Sequence, residues 1–162
     1  FDYAISLRSE VPETLLSQAI PKMSLQPIVE NAVVHGMEGL DHDTEIILRG
    51  VTLEDGEDFV LEVIDHGQGM DDDAVDKLKK QISGEIQLRG TSGNGLGLKN
   101  VQDRIRMAFG KPYGLAVSSE QNEFTKVTVY LPCAAGAGRA HAPLGAAEAV
   151  RQEAQHENHI DR

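Results

Sequence analysis

Asp65-His66-Gly67-Gln68-Gly69 follows directly on the mostly apolar run Phe59-Val60-Leu61-Glu62-Val63-Ile64. A carboxylate at the point where a buried strand leaves the core can accept a hydrogen bond from an exocyclic amine, such as that of adenine. Gly67 and Gly69 have no Cβ, so the backbone there can turn sharply and lie close to a flat ligand. The same residues would also serve as a plain Asp-Gly turn between a strand and a helix. A second run, Gly93-Asn94-Gly95-Leu96-Gly97-Leu98, opens an amphipathic stretch. A glycine-rich turn that feeds a helix N-terminus exposes backbone N–H groups at the positive end of the helix dipole, which makes a phosphate cradle. The spacing is not that of a dinucleotide-binding loop, because no strand-helix-strand unit precedes it. Nor is it a P-loop, because no Lys-Ser/Thr pair follows the last glycine. The competing interpretation is a flexible loop with a glycine-rich end.

A third run, Gln26-Pro27-Ile28-Val29-Glu30-Asn31-Ala32-Val33-Val34-His35-Gly36, falls within a helical pattern. Asn31 and His35 are four residues apart and share a face. Asn31 adjoins the apolar stripe, where an amide needs a partner. Its carbonyl oxygen suits a hard cation such as magnesium, and His35 could reach a phosphate. Taken singly, a satisfied core amide and a surface histidine are the commoner roles. In chain order the three runs supply a metal-binding amide, an adenine-reading carboxylate and a phosphate-binding glycine turn. A mobile lid over about 70–91 is expected between the last two.

The elements that must position these groups follow from apolar periodicity. A short strand is predicted over 3–7. A helix follows over 23–37, with Leu25, Ile28, Val29, Ala32 and Gly36 facing inward. Strands over 45–53 and 59–65 flank the turn Glu54-Asp55-Gly56-Glu57. Asp71, Asp72 and Asp73 are N-cap candidates for a helix to about 82, with Val75, Leu78 and Ile82 on one face. A polar, glycine-punctuated loop over 83–93 leads to a helix over 96–109. Leu98, Val101, Ile105 and Ala108 form its inner side, and Gly110 ends it. Strands over 114–119 and 124–131 close the domain. In the second, Val127, Val129 and Leu131 alternate with Lys126, Thr128 and Tyr130. The order β-α-β-β-α-α-β-β implies an α+β fold: a two-layer α/β sandwich, its mixed and mainly antiparallel sheet covered on one face by helices.

The 162 residues allow one domain with one good core. Composition shifts near Pro132, which divides a domain over 1–132 from an Ala/Glu/Gln/His-rich tail over 133–162. That tail has little to bury and is expected to be disordered, with a short helix possible over 146–155. The net charge of −11 repels phosphate backbones and argues against non-specific nucleic-acid binding. A nucleotide would then need a local exception such as backbone amides, a helix N-terminus or a metal. No apolar run approaches the roughly 18–20 residues needed to span a bilayer, so no membrane contact is expected of this segment. The start Phe1-Asp2-Tyr3-Ala4-Ile5 has no signal-peptide character, and the missing initiator Met suggests an excised fragment. Cys133 is the sole cysteine, which excludes an intramolecular disulfide and permits a reducing, cytoplasmic setting.

Over about 1–132 the arrangement resembles the ATPase superfamily of gyrase, Hsp90, histidine kinases and MutL, with its Bergerat-type ATP-binding fold. It is most similar to LytS-type sensor histidine kinases. The residues that carry this are Leu25-Gln26-Pro27-Ile28-Val29-Glu30-Asn31-Ala32-Val33-Val34-His35-Gly36 and Gly95-Leu96-Gly97-Leu98-Lys99-Asn100-Val101-Gln102-Asp103-Arg104-Ile105. A final strand ending in Leu131-Pro132 agrees. The resemblance implies ATP and Mg2+ as cofactors, with ATP lying between helices and lid. Asn31 would be the magnesium ligand. Asp65 would read adenine, with Gly67 and Gly69 shaping the floor. Gly93, Asn94, Gly95, Leu96 and Gly97 would form the phosphate turn. His35 would approach the phosphates, and Glu30 would polarise the attacking histidine or a water.

One departure from the superfamily pattern matters. In the hydrolysing branches the general-base glutamate lies one helical turn before the asparagine, and here that position is Pro27, which cannot act as a base. Transfer to a protein acceptor is therefore expected rather than fast hydrolysis. The acceptor would be a histidine on an upstream dimerisation segment, with a response regulator as the indirect partner. His35 and His66 lie in the nucleotide motifs, His42 in a loop, and His141, His156 and His159 in the tail, so none fits as acceptor. The alternatives are a serine kinase of the anti-sigma type and a non-catalytic nucleotide-binding module.

Overall fold

The computed structural model describes residues 4–36, 43–54, 56–86 and 94–133, with Gly36 and Asn94 described for their backbone only. In chain order the elements are β1 (Ile5–Glu10), a 3-10 turn (Glu13–Leu15), α1 (Gln26–Gly36), β2 (Thr44–Thr52), β3 (Asp58–Asp65), α2 (Asp72–Ser83), α3 (Asn94–Phe109), β4 (Gly114–Glu120) and β5 (Phe124–Pro132). The expected order of strands and helices is what the structure has. The five strands lie in the order β1-β2-β3-β5-β4. β1 runs parallel to β2, and the other three pairings are antiparallel.

β3 is buried along its whole length because it lies at the centre of the sheet. Alternation sends Phe59, Leu61 and Val63 to the helix side, where they join Ile28, Leu98, Val101, Ile105, Val127 and Val129 in the core. Asp65 shares their parity, so the strand delivers a carboxylate to the same side. The opposite residues, Val60, Glu62 and Ile64, face the other surface. There Glu62 is held by Arg49 at 3.9 Å and Lys126 at 3.4 Å, and Arg49 reaches on to Glu10 at 3.1 Å. This chain of charges crosses β1, β2, β3 and β5 and gives that face, which carries no helix among the described residues, a polar character despite its buried valine and isoleucine.

The helices begin where their residues require. α2 is capped by Asp71, whose carboxylate accepts the Ala74 N–H at 2.8 Å, an interaction worth about 1 kcal/mol. Val75, Leu78 and Ile82 are buried as their spacing predicts, and Gly84 closes the helix in the left-handed conformation at φ 84°. α1 starts at Gln26 rather than at 23. Met23 has a left-handed φ of 61°, which no helix accommodates, and its carbonyl accepts from Arg104 Nη1 at 2.7 Å. β1 lies further along than 3–7 because its register with β2 carries it to Glu10.

α3 corrects the sequence expectation twice. It begins at Asn94, two residues early, so Gly95 joins Gly97 inside its first turns rather than lying before the helix. Its inner face is Leu98, Val101, Gln102 and Ile105, while Ala108 is exposed. Gln102, 3 % exposed, accepts the Leu115 N–H at 2.6 Å. Gly114 leaves the room for it, because a Cβ there would lie 2.3 Å from Gln102 Oε1. At the same end of the sheet Tyr113 and Tyr130 both donate to Asp58. Cys133, predicted to start the tail, is buried in the core and donates its N–H to the Glu57 carbonyl at 2.7 Å. The rest of the tail, with His141, His156 and His159, lies outside the described residues, as do His42 and the 87–91 part of the expected lid.

Replacing Gln102 by Leu keeps the volume and deletes the acceptor. The change is expected to cost about 1–3 kcal/mol, the usual penalty for a stranded buried N–H. An unchanged urea midpoint would show that water reaches Leu115 instead.

Candidate nucleotide-binding site

A cleft of about 250 Å³ opens between α1, α2 and the ends of β3 and β5. α1 gives it Ile28, Asn31, Ala32 and His35. The sheet gives Val63, Asp65, Thr125 and Val127. The loop after β3 gives Gln68, Gly69 and Met70, and Leu78 and Leu98 close it from α2 and α3. The walls are largely apolar and the polar atoms are few, the usual make-up of a small-molecule site.

Asp65 ends β3 between Ile46 of β2 and Thr125 of β5 and is 3 % exposed. Its Oδ1 accepts the Gly67 N–H at 3.2 Å. Burial pushes the carboxyl pKa up from 3.8 to about 6. The Gly67 N–H and the nearby His35 and His66 oppose that rise without cancelling it. A carboxylate desolvated to this degree gains when a ligand brings it a donor.

The loop behind it is fixed by the β4–β5 hairpin. Met70 N–H donates to Ser119 Oγ at 2.8 Å, and Asn122 N–H donates to the Gln68 carbonyl at 2.5 Å. Gly69 lies between these bonds at φ 58°. Any Cβ there would stand 1.9 Å from the Glu120 carbonyl oxygen, so both conformation and space demand glycine. Of the two glycines in this run, Gly69 carries the left-handed turn, and the close approach is to the protein's own hairpin. Gly67 is buried beside Asp65 and serves it through its N–H.

The predicted site residues are only partly brought together. Asn31, His35, Asp65 and Gly69 line one cleft. Glu30 does not line it. That side chain is exposed on α1 and accepts from Gln26 Nε2 at 2.7 Å. Gly95 packs on α2, where an added Cβ would meet the Gln81 side chain at 2.6 Å, and a Cβ added at Gly97 would lie 3.6 Å from Pro27 of α1. Leu96 is partly exposed. These three border the cleft through Leu98 without lining it, Asn94 opens the helix, and Gly93 lies outside the described residues.

Residues 21–135 match the family described as histidine kinase-, DNA gyrase B-, and HSP90-like ATPase. The chain belongs to this family. Among its relatives, the sensor histidine kinase YesM of Bacillus subtilis is 30% identical over 82% of this chain. The sensor protein LytS of Streptococcus agalactiae is 32% identical over 80% of it. The sensor histidine kinase BtsS of Escherichia coli is 29% identical over 82%. The matched region is 20% of each of these proteins, so the chain spans about one fifth of their length. Among solved structures, the catalytic domain of histidine kinase ThkA matches with TM-score 0.56 and 16% identity, covering 80% of both chains. The histidine kinase domain of a blue-light activated kinase from Erythrobacter litoralis EL346 matches with TM-score 0.54 and 16% identity, over 82% of this chain and 54% of the other. At that identity the likeness is one of fold.

Thr125, Met70 and Ser119 belong to the cleft and its support and were not among the predicted site residues. Thr125 had a signal: it shares the parity of Val127, Val129 and Leu131, so a hydroxyl faces inward at the start of the strand. Met70 and Ser119 had none, since their positions depend on a contact 49 residues apart.

The raised pKa fixes a sign. The folded state holds the Asp65 proton more tightly than the unfolded chain does. Asp65 therefore removes stability progressively as pH rises from 3.8 to about 6, and the deficit stays constant above that. Asp65→Asn keeps an acceptor for Gly67 and cannot ionise. It is expected to stabilise the ligand-free chain by on the order of 1–3 kcal/mol at about pH 7.5 and by little at about pH 4. Urea unfolding of both proteins at the two pH values is the measurement, and equal stability at the higher pH would contradict the buried-charge account.

Proposed function

We propose that this domain binds Mg-ATP and serves a sensor histidine kinase, transferring the γ-phosphoryl group to a histidine on the dimerisation segment of its parent protein. The observation that carries this is a buried carboxylate at the floor of an apolar cleft, flanked by the Asn31 face of α1 and the glycine-opened end of α3. The named relatives are sensor kinases, which disfavours both the anti-sigma serine kinase and the non-catalytic module. The parent would hold the domain in the cytoplasm, and a response regulator would take the phosphoryl group onward.

The cleft suits one end of a nucleotide. Its volume of about 250 Å³ is at the low edge of the roughly 300–1,000 Å³ of drug-sized sites, so the base enters and the phosphates lie outside. Asp65 accepts from the adenine amine. Asn31 offers magnesium one amide oxygen, and phosphates and water complete the shell, the usual way a nucleotide-borne magnesium is held. Bound Mg-ATP supplies the transferable phosphoryl group. His35 lies one turn beyond Asn31 and completes the polar side of the cleft. Glu30, on the exposed side of α1, is accessible to a histidine brought by a partner helix. With Pro27 where a general base would stand, the chain's own contribution is positioning and charge neutralisation.

The glycines of α3 support the phosphate role by their cost. Each forgoes about 1 kcal/mol of helix stability relative to alanine, and the Gly97 site has room for a methyl group. What glycine preserves is an uncovered backbone at the start of α3, where the N–H groups preceding Gly97 have no intrahelical partner. Gly97→Ala is therefore expected to keep or raise the melting temperature while weakening ATP binding. A variant that is stabilised and binds ATP as well as the native chain would remove α3 from the phosphate site.

Calorimetric titration of ATP with and without magnesium tests the whole proposal. Asp65→Asn should weaken binding about 10- to 150-fold, the worth of a hydrogen bond to a charged group, and Asn31→Ala should chiefly abolish the magnesium dependence. The chain alone should form no phosphohistidine, and fusion to the parent's upstream helices should restore it. Stoichiometric phosphohistidine on the isolated chain would contradict the acceptor assignment.

A further inference from the structure

Ser119 lies one residue from the end of β4 and faces the helix side with Leu115 and Val117. Its Oγ is 2.8 Å from the Met70 N–H, 2.6 Å from the Phe124 carbonyl oxygen and 3.2 Å from Thr125 Oγ1. A serine hydroxyl has one proton and two lone pairs. The Phe124 carbonyl can only accept, so the Ser119 proton goes there. The Met70 N–H can only donate, so it takes one Ser119 lone pair. The remaining contact then has one polarity: Thr125 donates its proton to Ser119. Thr125 therefore shows the cleft lone pairs and no proton.

We infer that Ser119 is a specificity-determining positioning residue, which makes Thr125 an acceptor beside Asp65 so that the base end of the cleft selects 6-amino over 6-oxo purines. This rests on the proposed adenine role of Asp65. Thr125 is the register partner of Asp65 across β3 and β5, and both line the cleft. Two neighbouring acceptors complement an exocyclic amine and repel a carbonyl oxygen. Without Ser119 the Thr125 hydroxyl is free to rotate and donate, and the repulsion becomes a hydrogen bond. Ser119 also holds the backbone of the loop after β3 through Met70, so one side chain sets both the shape and the polarity of the floor.

The test is the ratio of ATP to ITP affinity, measured by titration on the full chain, because the two differ at the 6-position of the base. The native chain should prefer ATP. Ser119→Ala should lower that ratio about three- to tenfold, the range of one ordinary hydrogen bond, with the ITP affinity rising. Ser119→Thr, which keeps the hydroxyl, should restore the native ratio. Adding Thr125→Val to Ser119→Ala should cancel the gain in ITP affinity, which general loosening of the loop would not do. Should Ser119→Ala fail to fold, Thr125→Val alone decides. It removes an acceptor, so the ratio must fall, and a ratio that holds or rises overturns the inference. An unchanged ratio in folded Ser119→Ala that still binds ATP also overturns it and leaves the role of Asp65 standing. Native chain that binds neither nucleotide removes the adenine role itself, and the inference with it.

Discussion

Holding an ionisable carboxyl at the inner end of a fully buried strand costs folding free energy, and the architecture around Asp65 is organised by that cost. β3 must be central for all eight of its residues to be buried, and its alternation then forces Asp65 toward the helices along with Phe59, Leu61 and Val63. The protein offsets the burden with one N–H from Gly67 and two nearby histidines and leaves it only partly offset. A fold optimised for stability alone would place an apolar residue there. A ligand carrying a donor would relieve this residual frustration, as the proposed adenine role of Asp65 requires.

The same logic governs the glycines. Gly69 is fixed by contact with the hairpin backbone, and Gly114 is fixed by Gln102. Both are structural, although only one lies near the cleft. Gly95 and Gly97 meet nothing in this structure that a small side chain could not accommodate by moving the Gln81 side chain or by ordinary contact with Pro27. At Gly97 nothing in the packing compensates for a glycine in a helix, whereas Gly95 leaves room for the Gln81 side chain. A glycine that packing does not explain is consistent with the proposed approach of a ligand to its backbone.

Element types and their order were legible in the sequence because each amphipathic stretch has a clean period. Val75, Leu78 and Ile82 of α2 and the alternating Val127, Val129 and Leu131 of β5 are buried as read. The failures share a cause, which is that they depend on contacts distant in the chain. Gln102 takes an inner position on α3 because it serves Leu115 of β4, and a polar residue there is invisible to an apolar pattern. The start of α1 shifts because Arg104 holds the Met23 carbonyl. At the site, Asp65, Asn31 and His35 were legible from residue type and spacing, whereas Ser119 enters through a hydrogen bond to Met70 that no local pattern encodes. Glu30 was read from its neighbour, and its exposed side chain points to a different surface from that of Asn31, as residues adjacent on a helix must.

The chain's net charge of −11 also bears on how a triphosphate would be held. Its mean field opposes an anion, and the proposed contacts are short-ranged and largely neutral: helix-terminal N–H groups, one amide oxygen through a cation, and a histidine. Helix-end dipoles act within about a turn and backbone N–H groups only in contact, so such a site gains little from long-range attraction and depends on geometry. Geometry here is set by two pieces of packing, α3 on α1 and the loop after β3 on the hairpin. One brings the start of α3 beside α1, and the other holds Met70 beneath the cleft. Where field strength cannot assemble a phosphate site, short-range contacts of this kind would have to.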